Sequence, residues 1–346
     1  MVAESMIVER EELFMCNNLS DIREQVSDRR NPSNGDVLRV SVVIPTKNRV
    51  KDLEECVESL ITQTHPIDEL IIVDASDNDA TEKYVKCLKE RSRFNIIYVK
   101  QTKGGLAVAR NIGNELASGD IVFQLEDDLI LHEDYVKEIV AVFLNDRDEK
   151  IGGVGGVAKK EIEGKLTDFL YLIFGIIFLR DSWKKGCVTI SGHHARLPDR
   201  LSYVEWLLNA AYRRRVLDEF KYDEKLETTS PFAYYDDFDF SYRVSRKYKL
   251  VLTPKARYVH RSSFTAHSHA GAFETNRVKI QNHYYLVEKH NFSKIAFWWS
   301  TFGLLLAHSI LLIIQPSKKN YLILGGIIDG ILKIISKRWR IGKGRK

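Results

Sequence analysis

Gly119-Asp-Ile-Val-Phe-Gln-Leu-Glu-Asp-Asp128 is the stretch that decides the fold. Ile121, Val122, Phe123 and Leu125 read as a short buried strand, which ends in three adjacent carboxylates, Glu126, Asp127 and Asp128. An apolar core does not accept three acids without partners. They belong at the strand's carboxyl end, where open α/β sheets bind ligands. Alternate residues of an extended chain point the same way, so Glu126 and Asp128 are placed to face one ligand together. Two carboxylates on one hard divalent cation, with phosphate oxygens completing the shell, is how Mg²⁺ is usually held. A solvated acidic turn is the plain alternative, and the surrounding sequence decides against it.

Upstream, strand and helix patterns alternate. Val40-Ser-Val-Val-Ile44 is a buried strand stopped by Pro45, and Val50, Leu53, Cys56, Val57, Leu60 and Ile61 then recur at helical spacing. Leu70-Ile-Ile-Val-Asp74 is the next strand and ends in an acid; Thr81 is a candidate cap for a helix running to about Glu90. Ile96-Ile-Tyr-Val99 is a third strand, and Lys103-Gly-Gly105 turns into a helix with Leu106, Ala109, Ile112 and Leu116 on one side. This alternation predicts a parallel sheet covered on both faces. Each strand delivers polar residues at its end: Pro45-Thr-Lys-Asn-Arg49, Asp74 onward, Lys103-Gly-Gly105 and the acidic triplet. Their convergence on one crevice is the argument for a nucleotide site. There Asp74 is a candidate acceptor of hydrogen bonds from a base, and Arg110 a candidate for offsetting phosphate charge. Taken singly, Asp74 also reads as a turn residue and Arg110 as a solvated helix residue.

The composition bounds these readings. With 44% hydrophobic and 29% charged residues, the chain is globular rather than disordered. Cys16, Cys56, Cys87 and Cys187 form no CxxC pair, which points to reduced thiols on a cytosolic face and away from a zinc site or disulfide framework. Residues 333–346 hold seven Lys/Arg and no acid, so the net charge of +5 leaves about −2 (5 minus 7) for the remainder. The basic excess is a tail, not a nucleic-acid-binding face. Residues 1–36 are polar and mixed in charge and are expected to form an extension without a signal peptide.

Val42-Val-Ile-Pro-Thr-Lys-Asn-Arg49, Ile72-Val-Asp-Ala-Ser-Asp-Asn-Asp-Ala-Thr81, Gly104-Gly-Leu-Ala-Val-Ala-Arg-Asn-Ile-Gly113 and the acidic stretch 119–128 resemble, in order, the donor half of family 2 glycosyltransferases. The resemblance implies the GT-A fold, a Rossmann-like doubly wound mixed sheet, with a nucleotide-sugar donor and Mg²⁺ or Mn²⁺. By it the triplet matches the family's DXD element, with Glu126 where Asp is commoner. Asp128, Glu126 and His260 become the implied metal ligands. Pro45, Thr46, Asn48, Arg49, Asp74, Asp79, Gly105, Arg110, Glu126 and Asp127 become the donor-binding set.

Further on, Ile151-Gly-Gly-Val-Gly-Gly156 suggests a strand pressed against a loop or ligand. Phe169 to Leu179 is eleven apolar residues, too short to span a bilayer: either a core element or an apolar wall beside a lipid-linked acceptor. Tyr234-Tyr-Asp-Asp-Phe-Asp-Phe-Ser-Tyr-Arg243 opens an amphipathic helix, and acids at a helix start are favoured by its dipole. The stretch also resembles the family's Glu-Asp motif, with Asp236 in place of Glu, which makes Asp237 the implied catalytic base. Trp206 to Arg214 matches the family's acceptor strand only weakly. Leu250-Val-Leu252 is another short strand, followed by Val259-His-Arg. His193, His194, His267 and His269 carry no role in this reading.

Ile295 to Ile314 is twenty residues without Lys, Arg, Asp or Glu, about 30 Å as a helix, with Trp298 and Trp299 near one end. Tyr321 to Ile335 is a second apolar stretch, and Ser336 to Lys346 a basic tail suited to anionic lipid. The alternative is a helical hairpin packed on the catalytic domain, or a dimer interface. The resulting expectation is an extension at 1–36, a GT-A domain at 37–290 (donor half 37–128, acceptor half 129–290) and membrane-associated helices with a tail at 291–346. The expected enzyme sits on the cytoplasmic side of the cell membrane and moves sugar, with inversion, from a UDP-, dTDP- or GDP-linked donor to a glycan or polyprenyl-linked acceptor. A catalytically silent nucleotide-sugar-binding protein is the rival. A dehydrogenase is disfavoured, because no GxGxxG follows the first strand.

Overall fold

The computed structural model describes residues 38–159, 165–226, 234–261 and 269–336. The expected N-terminal extension and the basic residues from 337 onward lie outside them. Strands β1 (Val40–Thr46), β2 (Glu69–Asp74), β3 (Asn95–Lys100) and β4 (Ile121–Gln124) alternate with helices α1 (Val50–Ile61), α2 (Ala80–Arg91) and α3 (Leu106–Leu116). β1 lies parallel between β2 and β4, and β2 is parallel to β3. Val42 and Ile44 enter one core with Leu53 and Val57, while Val43 enters another with Ile71 and Ala107. Burial on both faces is why these strands read as unbroken apolar runs. Helix α2 starts earlier than Thr81 suggested. Asp79 is its N-cap residue, and the buried Thr81 hydroxyl lies 3.3 Å from that of Ser76.

The sheet is not parallel throughout. β5 (Leu129–Leu131), α4 (Tyr135–Leu144), β6 (Ile151–Ala158), α5 (Lys165–Ile177), β7 (Ser202–Val204), β8 (Ala210–Arg213), α6 (Arg214–Glu219), α7 (Asp236–Ser245) and β9 (Lys249–His260) follow. The strand order is β3-β2-β1-β4-β8-β6-β9-β5, with β7 also on β9. β8 runs antiparallel to both β4 and β6, so the sheet is mixed. Because β1 has β2 on one side and β4 on the other, the chain order switches there, and the ends of β1 and β4 border the crevice. The short strand expected at Leu250–Leu252 runs on through Val259 and His260 as one twelve-residue strand, β9. Its register on β6 shifts twice, and such bulges interrupt an alternating pattern.

Three helices close the described chain: α8 (His269–Lys289), α9 (Lys294–Ile314) and α10 (Lys318–Ile335). Ile280, Val287, Phe297, Ile327 and Ile334 form one cluster shared by all three. At Gly326 a Cβ would collide with the Phe273 carbonyl, so glycine is what lets α10 lie against α8. A boundary at 290/291 therefore runs through a packed core. Ile295, Trp299, Phe302, Ile310 and Ile313 of α9 remain exposed. Among the described residues α9 is the one helix long and apolar enough to cross a membrane.

Candidate active site

The ends of β4 and β9 meet through β5. Leu129 pairs with His260 in the antiparallel ladder, which sets the imidazole beside Asp128. His260 Nε2 lies 3.2 Å from Asp128 Oδ1 and 3.4 Å from Glu126 Oε2. The donor atoms of all three lie within 4.8 Å of one another. Apart from this ion-pair contact with His260, the buried Asp128 Oδ1 has no hydrogen-bond partner among the described residues. A buried carboxylate oxygen in that condition is costly, and a cation would relieve it. The Asp128 carboxylate, against partial burial, raises the pKa of His260. Two carboxylates and an imidazole fit Mn²⁺ or Mg²⁺.

Asp127 is fully buried. It accepts a 2.7 Å hydrogen bond from Thr46 Oγ1 and pairs with Arg49, which also donates to Asp128 Oδ2 at 3.0 Å. Burial pushes its pKa up to about 7, against the pull of Arg49 and Thr46. Asp127 thus ties the end of β1 to the end of β4. Pro45, the residue before Thr46, pairs with Val73 of β2.

The next loop over is equally bound. Asp74 is buried and accepts from Ser76 N (2.8 Å), Tyr98 hydroxyl (2.8 Å) and Lys100 Nζ (3.1 Å). Asn48, held at φ +58°, donates through Nδ2 to Asp77 Oδ2 at 2.7 Å and accepts from Asp77 N at 2.9 Å. Asp77 stands in the 72–81 motif but has no assigned role in the sequence reading. Gly105 is the extended N-cap of α3 and follows Gly104 at φ +89°. Asp79 lies on the exposed start of α2, where it pairs with Lys83 at 2.8 Å.

Asp236 and Asp237 open α7, behind Tyr235 in the left-handed region at φ +75°. Arg110, wholly shut off from solvent, donates from Nε to Asp236 Oδ2 and from a terminal nitrogen to Asp237 Oδ2, each at 3.2 Å. That position differs from the one expected for a group offsetting phosphate charge. Tyr222 adds a 3.3 Å hydrogen bond to Asp237 Oδ1. Burial raises the Asp237 pKa to about 7; Arg110 opposes the rise, and the nearby Asp236 and Glu126 add to it. The base candidate and the cation candidate are thus within electrostatic reach of each other.

Sequence reasoning missed Asn209. Its side chain clamps Glu126, accepting from Glu126 N and donating to Glu126 Oε2, both at 3.2 Å. Its φ is +47°, a conformation Asn tolerates better than most side chains, and that tolerance is the only signal the sequence carried.

Comparison with known proteins follows the same lines. The family model described as glycosyl transferase family 2 matches residues 41–220, just over half of the chain. The chain is 32% identical over 126 residues to the poly(ribitol-phosphate) β-N-acetylglucosaminyltransferase TarP of Staphylococcus aureus, covering 35% of this chain and 38% of that one. It is 32% identical over 101 residues to glycosyltransferase GlyA of Streptococcus pneumoniae, covering 29% of this chain and 14% of that one. The matches thus span well under half the length of these relatives. Among solved structures, the mannosyltransferase PcManGT of Pyrobaculum calidifontis, in complex with GDP-Man and Mn²⁺, superposes with a TM-score of 0.57 at 17% identity, covering 94% of this chain and 98% of that one. GalNAc-T7 with UDP, GalNAc and Mn²⁺ gives 0.50 at 18% identity, covering 70% and 48%. At these identities the likeness shows the fold.

Proposed function

This chain belongs to glycosyl transferase family 2, and we propose that it moves a sugar from a nucleotide-sugar donor to a hydroxyl of a glycan or lipid-linked acceptor, with a divalent cation and inversion. The observation that carries the reading is the approach of two acid sets. Glu126, Asp128 and His260 make a cation-sized cluster, and Asp237, with a pKa near neutrality, lies within electrostatic reach of Glu126. Mn²⁺ in two structures of like fold supports the choice of cation.

Mn²⁺ or Mg²⁺ held by Asp128, Glu126 and His260 would supply charge neutralisation to the departing diphosphate. The chain's own groups do the rest. Asp74, Asn48 and the α3 N-terminus at Gly105 border the donor crevice. Asp237 takes the proton of the acceptor hydroxyl as the bond to the anomeric carbon forms and the bond to the diphosphate oxygen breaks. Arg110 and Tyr222 orient its carboxylate and favour the ionised form. Attack opposite the leaving group inverts the anomeric centre. We extend the proposal to place: the cytoplasmic face of the cell membrane. The exposed apolar side of α9 and the free thiols of Cys56, Cys87 and Cys187 support it.

The test is to give the full chain labelled UDP-, dTDP- and GDP-sugars with Mn²⁺, with Mg²⁺ and with neither. Slow metal-dependent release of nucleoside diphosphate is expected, abolished by EDTA. Failure with every donor and both metals would sink the reading.

A further inference from the structure

Away from the two acid sets, two cations, Arg180 and Lys279, gather among histidines where no acid answers them. Arg180, three residues beyond α5, sets a guanidinium nitrogen 3.3 Å from His193 Nε2. Lys279 of α8 holds its ammonium 4.2 Å from the centre of the Tyr234 ring. His308 of α9 has a buried Nδ1 without a hydrogen-bond partner among the described residues. His193 joins these groups: its ring lies 4.0 Å from that of His283, Lys279 stands one turn before His283 on α8, and His308 stands about two turns beyond Ser300 of α9, whose hydroxyl also faces His193 Nε2. Among the described residues no carboxylate makes an ion pair with Arg180 or Lys279, and burial lowers the pKa of both. The acid next door, Asp181, is taken by Arg196 at 2.7 Å. Buried cations are normally paired. Arg180, Lys279 and His308 are half-buried, hence still reachable, and such a set suits an incoming anion.

Two relations say which anion. Tyr235, the residue before Asp236, stacks on His283 at 5.7 Å, so the cluster adjoins the start of α7. The cluster is also continuous with apolar surface. His193 Nε2 lies 3.2 Å from Ser300 Oγ of α9, and the neighbouring Trp299 donates to the Ile177 carbonyl. Phe178 packs on Trp299 and Phe302, both of which are exposed, as is Ile177. A charged head and an apolar chain are thus accommodated side by side, next to the base. We propose that Arg180, Lys279 and His308 bind the phosphate or diphosphate of a lipid-linked acceptor whose hydrocarbon lies along Ile177, Trp299 and Phe302. This rests on the glycosyltransferase reading and adds the chemical class of its acceptor.

The experiment uses the full chain in neutral detergent with EDTA, so that the cation cluster contributes nothing. Farnesyl diphosphate, farnesol and inorganic pyrophosphate are titrated against tryptophan fluorescence and by calorimetry. Farnesyl diphosphate is expected to bind about tenfold or more tighter than either of the others, and the Arg180→Gln/Lys279→Met pair to remove that advantage. The pair's melting temperature is expected to hold or rise, since unpaired buried charge is removed. Equal binding of farnesol and farnesyl diphosphate by the wild-type chain would refute an anion site. Equal binding of pyrophosphate would make it a site for a free anion. Equal binding of phosphatidylglycerol, titrated in the same detergent, would make it a bulk-headgroup contact; either result overturns the proposal, as does a marked loss of melting temperature in the variant. Donor hydrolysis by the wild-type chain with Mn²⁺ is scored separately, and its absence counts against the proposed function alone.

Discussion

Arg110 donates to Asp237 across 3.2 Å at a sequence separation of 127, with the first side chain wholly and the second nearly shut off from water. A helix of the donor half thereby supplies the counter-charge to the candidate base. Truncating one partner of such a pair leaves a buried charge uncompensated, at a cost of about 3–5 kcal/mol. Arg110→Met is therefore expected to lower stability by that order. It should also move the acid limb of the pH–rate profile upward, because the ionised base loses its main support. Arg110→Lys should restore part of both. An unmoved acid limb in Arg110→Met would separate Asp237 from catalysis.

Asp237 keeps its proton up to about pH 7, where an ordinary aspartate loses it near 3.8. Between those values the folded chain binds more protons than the unfolded one, so this group's contribution to stability is full below about 3.8 and is lost as pH rises through 7. In EDTA the melting temperature is expected to climb as pH falls from 8 towards 5.5. Asp237→Asn should reduce the climb, and the remainder belongs to Asp127, whose pKa burial also raises to about 7. Its affinity for nucleotide should remain, while transfer falls by about 10² or more. Asp236→Asn is the control, and a larger loss there would exchange the two roles.

Asp128→Asn keeps shape and removes charge from the cation cluster. Loss of Mn²⁺ binding by calorimetry, together with loss of donor turnover, is the expected outcome. Wild-type turnover with Mn²⁺ or Mg²⁺ would remove Asp128 from the cation site.

Asn209→Ala leaves all three candidate ligands in place but frees Glu126. Residues that orient ligands typically matter about 10–100-fold in metal affinity. A loss of that size in Mn²⁺ affinity, with an unchanged circular dichroism spectrum, is expected. Unchanged affinity would reduce Asn209 to a turn residue.

Ending the chain at His290 removes α9 and α10 and strips the α8 face that Phe297, Ile327 and Ile334 cover. Aggregation or a strongly lowered melting temperature is expected, rather than a free catalytic domain. Replacing Lys337, Arg338 and Arg340 by Gln is expected to be harmless to folding. It should weaken binding to anionic vesicles by about 1 kcal/mol per charge, an effect that salt erases. Full-length protein that is soluble without detergent and indifferent to such vesicles would end the membrane reading.

What could be read in advance was whatever is local. β1 to β4 and their helices follow from apolar period and flanking turns, and Glu126 beside Asp128 follows from alternation. What could not be read was distant pairing. Nothing near Arg110 announces Asp237, nothing near Glu126 announces Asn209, and β9 looked like a three-residue strand because its bulges break the pattern. The cationic cluster was invisible for the same reason. Arg180, Lys279 and His308 come from three separate elements, and each looks like an ordinary polar residue on its own segment.

Leu129 pairs with His260 at a sequence separation of 131 (260 minus 129), and that one ladder brings Asp128 to the imidazole. A slip of one residue would turn His260 to the opposite face of the sheet. Long-range pairings of this kind close late, after local strands and helices have formed. Cation affinity therefore doubles as a clock for folding. In a refolding experiment, Mn²⁺ uptake should appear only with the slowest phase, when the last strand has seated in register.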